Sequence, residues 1–199
     1  MSQQQWDSRY SAEEYIYGIE PNEYLRYFLD SRKPGRILFP AEGEGRNAVY
    51  AASLGWQVDA FDQSEAGRQK ALKLAAMKGV SINYGLISLE DWQPDSNIYD
   101  AVALVFVHLE PAFRVEVHRK AIKALKSGGF IIVEAFTKNQ FPRTSGGPKN
   151  LDLLFDAGVI KNDFAALKCI DFAETQVELN EGLLHRGLAD VVRLIAMKQ

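Results

Sequence analysis

The sequence predicts an α/β fold: a mostly parallel seven-stranded sheet with helices on both faces and a C-terminal antiparallel hairpin. Three observations predict it. The loop Glu42-Gly43-Glu44-Gly45-Arg46-Asn47 separates the apolar run Arg36-Ile37-Leu38-Phe39 from a helix-compatible stretch, Ala48 to Leu54. This is the strand, glycine loop, helix unit of a nucleotide-binding sheet. Asp100 to Val107 is a continuous apolar run, as in a central parallel strand buried on both faces. Near the C-terminus, Ala173, Thr175, Val177 and Leu179 alternate with Glu174, Gln176, Glu178 and Asn180. That period of two marks an antiparallel, half-exposed strand.

The remaining elements follow in order. Residues 7–17 are polar and aromatic, and Gly18 to Asn22 breaks them from a short helix over Glu23 to Asp30. The first strand is Arg36 to Ala41, the second Gln57 to Phe61 and the third Val80 to Gly85. Ser64 is placed to cap a helix that ends near Lys78, with Gly79 just beyond its C-terminus. Pro111 suits the first turn of the next helix, whose face is read as Pro111, Val115, His118, Ile122 and Leu125, with Ser127-Gly128-Gly129 as its stop. Phe130 to Phe136 is a fifth strand. Residues 138–150 form a loop, and Leu151 to Phe164 reads as helical. Asn180-Glu181-Gly182 is a turn signal, after which Leu183 to Met197 returns as a long strand.

Composition narrows the function classes. At 199 residues the chain is expected to be one domain. A hydrophobic content of 47%, a charged content of 25% and a net charge of −3 describe an ordinary globular protein, with no whole-chain reason to expect nucleic-acid binding. The single cysteine, Cys169, rules out an internal disulfide framework and any multi-cysteine zinc site, and no metal is expected. No apolar run approaches ~18 residues, so no membrane span is expected. The N-terminus lacks the apolar core of a signal peptide, which makes the cytoplasm the expected location.

The glycine loop carries the chemistry. Gly43 and Gly45 let the main chain turn sharply and approach a ligand; alone they fit an ordinary turn equally well. Asp62 ends the next strand, 17 positions after Gly45, where a carboxylate can accept both hydroxyls of a ribose. Gly43 to Ala48 also fits the glycine pattern of an NAD site, so NAD is the rival ligand. A pyrophosphate, however, would lie against Glu42 and Glu44. At ~4 Å and an effective dielectric constant of ~20, each like-charge contact costs about 4 kcal/mol. The two carboxylates favour a cationic ligand instead.

Elsewhere the residues allow two readings. His108 ends the central strand, where open α/β sheets bind ligands. It either orients or deprotonates a substrate or closes the strand by hydrogen bonds to the main chain. His118 falls on the apolar helix stripe and is read as structural, and His185 sits in the hairpin turn. Lys138, Arg143 and Lys149 cluster in the loop after the fifth strand, either as a solvated loop or as a dock for an anionic substrate. Cys169 is read as buried or incidental.

Taken together, the motifs resemble those of class I S-adenosylmethionine-dependent methyltransferases over nearly the whole chain. Within that group the chain is similar to the small tellurite-resistance and thiopurine methyltransferase branch. The stretches that carry the resemblance are Trp6 to Tyr10, Tyr17 to Asn22, Glu42 to Asn47, Val58 to Ser64, Val107 to Pro111, Leu125 to Gly129, Thr144 to Lys149 and Val191 to Leu194. The resemblance implies a Rossmann-like sheet and S-adenosylmethionine as cofactor, held by Glu42, Gly43, Glu44, Gly45, Asn47, Asp62 and Gln63. It implies that residues 1–30 form a lid, with Arg9 pairing the methionine carboxylate and Tyr17-Gly18 lining the sulfonium pocket. Ser88 and Leu89 would face the adenine. The chain departs from the general pattern in the first loop, where the usual acid falls at Phe39 and the usual first glycine at Ala41; Glu42 is the candidate replacement.

The expected reaction is in-line transfer of a methyl group from S-adenosylmethionine to a small acceptor, a thiol or a chalcogen oxyanion such as tellurite or selenite. His108 is the one obvious base for an oxygen acceptor. The rivals are an NAD(P) oxidoreductase and a non-catalytic S-adenosylmethionine-binding protein. The expected partner is the small-molecule acceptor, without nucleic acid or membrane, in a monomer or homodimer.

Overall fold

The computed structural model describes residues 2–199. Its contacts group the described residues into two compact units, one of residues 2–92 with 181–184, the other of residues 93–180 with 185–199. In the first unit the strands lie in the order Asn83–Leu86, Gln57–Asp62, Arg36–Pro40, and in the second in the order Tyr99–Val105, Leu125–Phe136, Arg186–Met197, Lys168–Asn180, the last two forming the C-terminal antiparallel hairpin. The predicted fold class is the one observed.

The first unit opens with α1 (Gln3–Tyr10), a helix where only a polar and aromatic stretch is expected from the sequence. Its start was nonetheless written in the chain: Ser2 and Gln5 form a reciprocal capping box. α2 (Glu23–Asp30) follows, with the Asn22 side chain accepting from the Leu25 N–H and Leu25, Phe28 and Leu29 buried. β1 (Arg36–Pro40), α3 (Arg46–Ser53), β2 (Gln57–Asp62), α4 (Glu65–Met77) and β3 (Asn83–Leu86) complete it. β1 pairs in parallel with β2, and β2 with β3. Ser64 caps α4 as expected, accepting from the Gly67 N–H. Gly79 takes a left-handed φ of 68° just after the helix ends. Ile37, Phe39, Leu25 and Leu74 are completely buried; a side chain of this size buried in full contributes about 1.5–3 kcal/mol.

The second unit contains β4 (Tyr99–Val105), α5 (Pro111–Ala124), β5 (Leu125–Phe136), α6 (Ala157–Asp163), β6 (Lys168–Asn180) and β7 (Arg186–Met197). β4 and β5 are parallel, whereas β7 runs antiparallel to both β5 and β6. Several expectations are corrected here. α5 stops at Ala124, and the glycines expected to end it lie within β5. Its buried face is Val117, His118, Ala121 and Ala124, while Val115 is 36% exposed; small alanines make the contact, so the larger residues mislead. The helix expected over 151–164 is split into a 3-10 turn (Leu151–Leu153) and α6. Between them the buried Phe155 bridges to Thr137 as an isolated parallel pair, and the Asp156 side chain restarts the helix by accepting the Val159 N–H. β7 begins at Arg186, three residues later than expected, and Cys169 is exposed on β6.

Candidate functional site

The loop after β1 is shaped by the main chain. Ala41, Gly43 and Gly45 have φ of 53°, 64° and 86°, left-handed values that glycine adopts without cost. At Gly45 there is also no room for a side chain, since a Cβ there would lie 2.4 Å from the Cβ of Ala71 on α4. A Cβ on Gly43 would meet the Tyr10 hydroxyl at 2.5 Å, so the ring of α1's last residue is seated on the loop. Tyr84 donates from the other side to the Gly43 carbonyl at 2.6 Å.

Gly45 heads α3 without a side chain to cap it, and Glu42 does so instead. Its Oε1 accepts the N–H groups of Asn47 (2.9 Å) and Ala48 (2.8 Å). The Asn47 amide donates to Oε2 at 3.3 Å, and its oxygen accepts the Asn22 N–H at 2.9 Å. Burial pushes the Glu42 carboxyl up to about 7, against the hydrogen bonds that pull it down. Glu44 is buried and paired: Lys70 Nζ stands 2.6 Å from Oε1, in an ion pair without hydrogen-bond alignment, and Oε2 accepts the Tyr17 N–H at 3.3 Å.

Asp62 stands at the carboxyl end of β2, with one oxygen accepting the Gly43 N–H and the other the Ser64 N–H, both at 2.9 Å. Burial raises its pKa, and those main-chain bonds together with one from Gln63 oppose the rise. Gln63 lies half-buried in the turn between β2 and α4. Arg9 donates to the Tyr17 hydroxyl at 3.0 Å and covers the Trp6 ring at 4.9 Å. Gly18 has φ of 73° and stands against Glu181 and Gly182 of the hairpin turn. The Arg46 guanidinium reaches Glu181 at 2.9 Å, with both side chains nearly buried. Ser88 closes its own turn by hydrogen bonds with Asp91, next to the half-buried Leu89.

All the residues expected to hold the cofactor therefore fall in the first unit, and hydrogen bonds join most of them. Sequence reasoning missed Asp7, Tyr10, Lys70 and Tyr84 here. Asp7 accepts from Ser64 Oγ (2.6 Å) and the Ala66 N–H (3.1 Å), which completes the cap of α4. No spacing rule pairs these residues; 57 positions separate Asp7 from Ser64.

His108 and the basic loop fall in the second unit. His108 Nδ1 lies 2.8 Å from the Leu153 carbonyl, which can only accept, so this nitrogen carries the proton. Nε2 then accepts the Phe136 N–H at 3.3 Å. Burial lowers the His108 pKa to about 4. This is the strand-closing arrangement, with neither nitrogen left for a substrate proton. His185 is buried edge-on against Phe106 and Phe136, and so is more than a turn residue. His118 is buried and bonds Asp163 at 2.9 Å. The cations of the loop are each engaged: Lys138 with Asp156, Arg143 with Asp190, and Lys149 with the Phe141 and Arg143 carbonyls. Buried Gln140 pins this loop to β7 through the Asp190 N–H.

The residues of the first unit fit S-adenosylmethionine. A carboxylate oxygen has two lone pairs, so Asp62 keeps acceptor capacity for a ribose beyond its main-chain bonds. Burial, and then the charges of Asp62, Glu42 and Glu44, raise the Tyr84 phenol well above its ordinary value. Near neutral pH Asp62 is the acid that opposes a pyrophosphate here, since Glu42 is raised to about 7 and Glu44 is paired with Lys70.

Comparison with known proteins agrees. A family model described as a methyltransferase domain matches residues 37–129. No curated protein matches in sequence. One solved structure, described for the conversion of a disulfide bond into a thioacetal group during echinomycin biosynthesis, is similar with a TM-score of 0.81 at 13% identity, over 99% of this chain and 91% of that one. TehB from Haemophilus influenzae has a TM-score of 0.73 at 16% identity, over 99% and 67% of the chains. The N-methyltransferase NodS from Bradyrhizobium japonicum WM9, in complex with S-adenosyl-L-homocysteine, has a TM-score of 0.75 at 13% identity, over 98% and 97%. At these identities the likeness is one of fold. The family-model match makes residues 37–129 similar to a methyltransferase domain over just under half of the chain. Among the described residues no group of side chains is placed to hold a metal ion, and no helix is long and apolar enough to cross a membrane.

Proposed function

We propose that the chain transfers the methyl group of S-adenosylmethionine to a small soft nucleophile, a thiol or a chalcogen oxyanion such as tellurite or selenite. The observation that carries the cofactor half is Asp62, buried at the end of β2 and fixed by the Gly43 and Ser64 N–H groups. In this reading its remaining lone pairs take the ribose hydroxyls, and the left-handed turns at Gly43 and Gly45 shape the loop beside it. Leu89 flanks the adenine beside Ser88. Arg9, already oriented by Tyr17, pairs the methionine carboxylate. The phenol of Tyr17 presents a ring face to the sulfonium. Glu42 and Asn47 hold the helix start on which the loop depends.

When bound, the cofactor would supply an electrophilic methyl group on a positive sulfur, open to the lone pair of an acceptor. The protein's task is to hold acceptor, methyl and sulfur in line, a proximity effect of about 7–11 kcal/mol at its upper range. In this reading His108 is not called on as a base; the hydrogen bonds of both its nitrogens to the main chain support that. That favours an acceptor already ionised or strongly nucleophilic near neutral pH, as sulfur, selenium and tellurium species are. The solved structure described for the conversion of a disulfide bond into a thioacetal group, similar in fold, is in keeping with this choice. Lys138, Arg143 and Lys149 remain candidates for an oxyanion only by exchanging their present partners.

The test is methyl transfer from labelled S-adenosylmethionine to a panel of thiols, selenite, tellurite, catechols and amines. Transfer to a sulfur, selenium or tellurium acceptor supports the reading. Transfer confined to oxygen or nitrogen acceptors overturns the acceptor class.

A further inference from the structure

We propose that Lys70 is a positioning residue: it latches residues 12–17 to the glycine loop and so holds the segment bearing Arg9 and Tyr17 in place for the cofactor. The inference rests on the cofactor reading above. Lys70 projects from α4, and its ammonium meets three oxygens. These are the carbonyls of Ala12 (2.9 Å) and Glu14 (2.6 Å) and the carboxylate of Glu44 (2.6 Å). The two carbonyls take hydrogen bonds from the ammonium, and the carboxylate meets it as an ion pair.

The contact is reinforced from the segment's side. Nζ lies 4.9 Å from the centre of the Tyr15 ring, and the Tyr15 hydroxyl returns a hydrogen bond to the Lys70 carbonyl at 3.0 Å. Glu44 extends the latch, since its second oxygen takes the Tyr17 N–H. Lys70 thus ties residues 12 and 14 to a buried acid of the loop, and that acid in turn holds residue 17. Ala12 and Glu14 lie outside any helix or strand, so their carbonyls have no regular ladder to satisfy them. Glu44 side-chain exposure is 2% and that of Lys70 13%, which leaves water little access to either charge. Removing the cation strands a buried carboxylate and frees the carbonyls together.

Two roles have to be separated, neutralising Glu44 and latching the segment. The variants Lys70→Met and Lys70→Met/Glu44→Gln do so. The double variant has no stranded charge, yet still lacks the donor for Ala12 and Glu14. The readouts are the dissociation constant for S-adenosyl-L-homocysteine, the split between KM and kcat for S-adenosylmethionine, and the rate of tryptic cleavage after Arg9 in the native protein. In both variants the dissociation constant and KM should rise about tenfold or more, with kcat at saturation changed far less, and cleavage at Arg9 should quicken. The double variant should recover thermal stability without recovering affinity or protection. Affinity and protection restored in the double variant would overturn the latch, as would a single variant that matches the wild type in both. A wild-type chain that binds no S-adenosyl-L-homocysteine would defeat the cofactor reading instead, and the cleavage rates would still judge the latch.

Discussion

The carboxylate of Asp62 accepts the Gly43 N–H at 2.9 Å, which ties the end of β2 to the glycine loop at the end of β1. The same side chain is the proposed ribose acceptor, so its replacement acts twice. Asp62→Ala should weaken S-adenosylmethionine binding by about tenfold or more and also destabilise the fold by about 1–3 kcal/mol, because buried N–H groups lose their acceptor. Asp62→Asn, which keeps one acceptor oxygen, should recover part of the stability. Calorimetric titration beside thermal unfolding checks both effects; an unchanged dissociation constant in Asp62→Ala would show that this residue does not hold the ribose.

Ala41 carries a left-handed φ of 53° where a glycine would be at ease. Ala41→Gly should therefore stabilise the chain by about 1 kcal/mol, less whatever the unfolded state gains in freedom. Gly45→Ala should do the opposite, with the new Cβ 2.4 Å from Ala71 Cβ at a φ of 86°. Urea denaturation of the pair would contradict the loop geometry if the signs were reversed.

Glu42 predicts a particular pH dependence. Its carboxyl is raised from 4.5 to about 7 in the fold. In that window the folded chain keeps the proton that the unfolded chain has released, so the contribution of this group to stability falls as pH rises. Glu42→Gln keeps an oxygen for the Asn47 and Ala48 N–H groups and has no such proton. The stability of the variant relative to wild type should therefore climb between pH ~4.5 and ~7 and level off above. A difference that does not vary with pH would show that Glu42 is ionised throughout.

His108 predicts the reverse slope. Held neutral down to about 4 against an ordinary 6.5, it favours the unfolded, protonatable form as pH falls through that window. Replacing it by Ala should destabilise by about 1–3 kcal/mol, with the Phe136 N–H and the Leu153 carbonyl left unpaired. On the reading that it is not a base, the kcat of the wild type with a thiol should show no histidine ionisation near 6.5. A profile governed by such a group and abolished in His108→Gln would restore the catalytic reading.

Arg46 and Glu181 form an ion pair with side-chain exposures of 7% and 9%. Arg46→Met strands the acid and should cost about 3–5 kcal/mol. Arg46→Met/Glu181→Leu should recover most of that in thermal unfolding. A double variant no better than the single would mean the pair is not what the Arg46 side chain contributes.

The fold was largely legible because its signals are local and periodic. The run from Asp100, the alternation from Ala173 and the cap at Ser64 each act within a few residues. The glycine loop and Asp62 were legible as positions, but not in their bonding. That Glu42 would serve as a helix cap followed from Gly45 having no side chain, which could have been anticipated. That Lys70 would neutralise Glu44 could not, because the partners are 26 positions apart and meet only through the packing of α4 against the loop. The helix expected over 151–164 failed for a similar reason: Phe155 pairs with Thr137, a long-range contact that overrides local propensity. His108 shows the limit of reading function from place in a strand, since its role is set by Leu153 and Phe136, neither near it in sequence.

The central claim is that the glycine loop and Asp62 hold S-adenosylmethionine. Calorimetric titration of the full chain with S-adenosylmethionine, S-adenosyl-L-homocysteine, NAD and NADP tests it most directly. Saturable binding of the two sulfur nucleosides at about micromolar strength, with none of the dinucleotides, is the predicted result. Binding of NAD or NADP without binding of either sulfur nucleoside would contradict it.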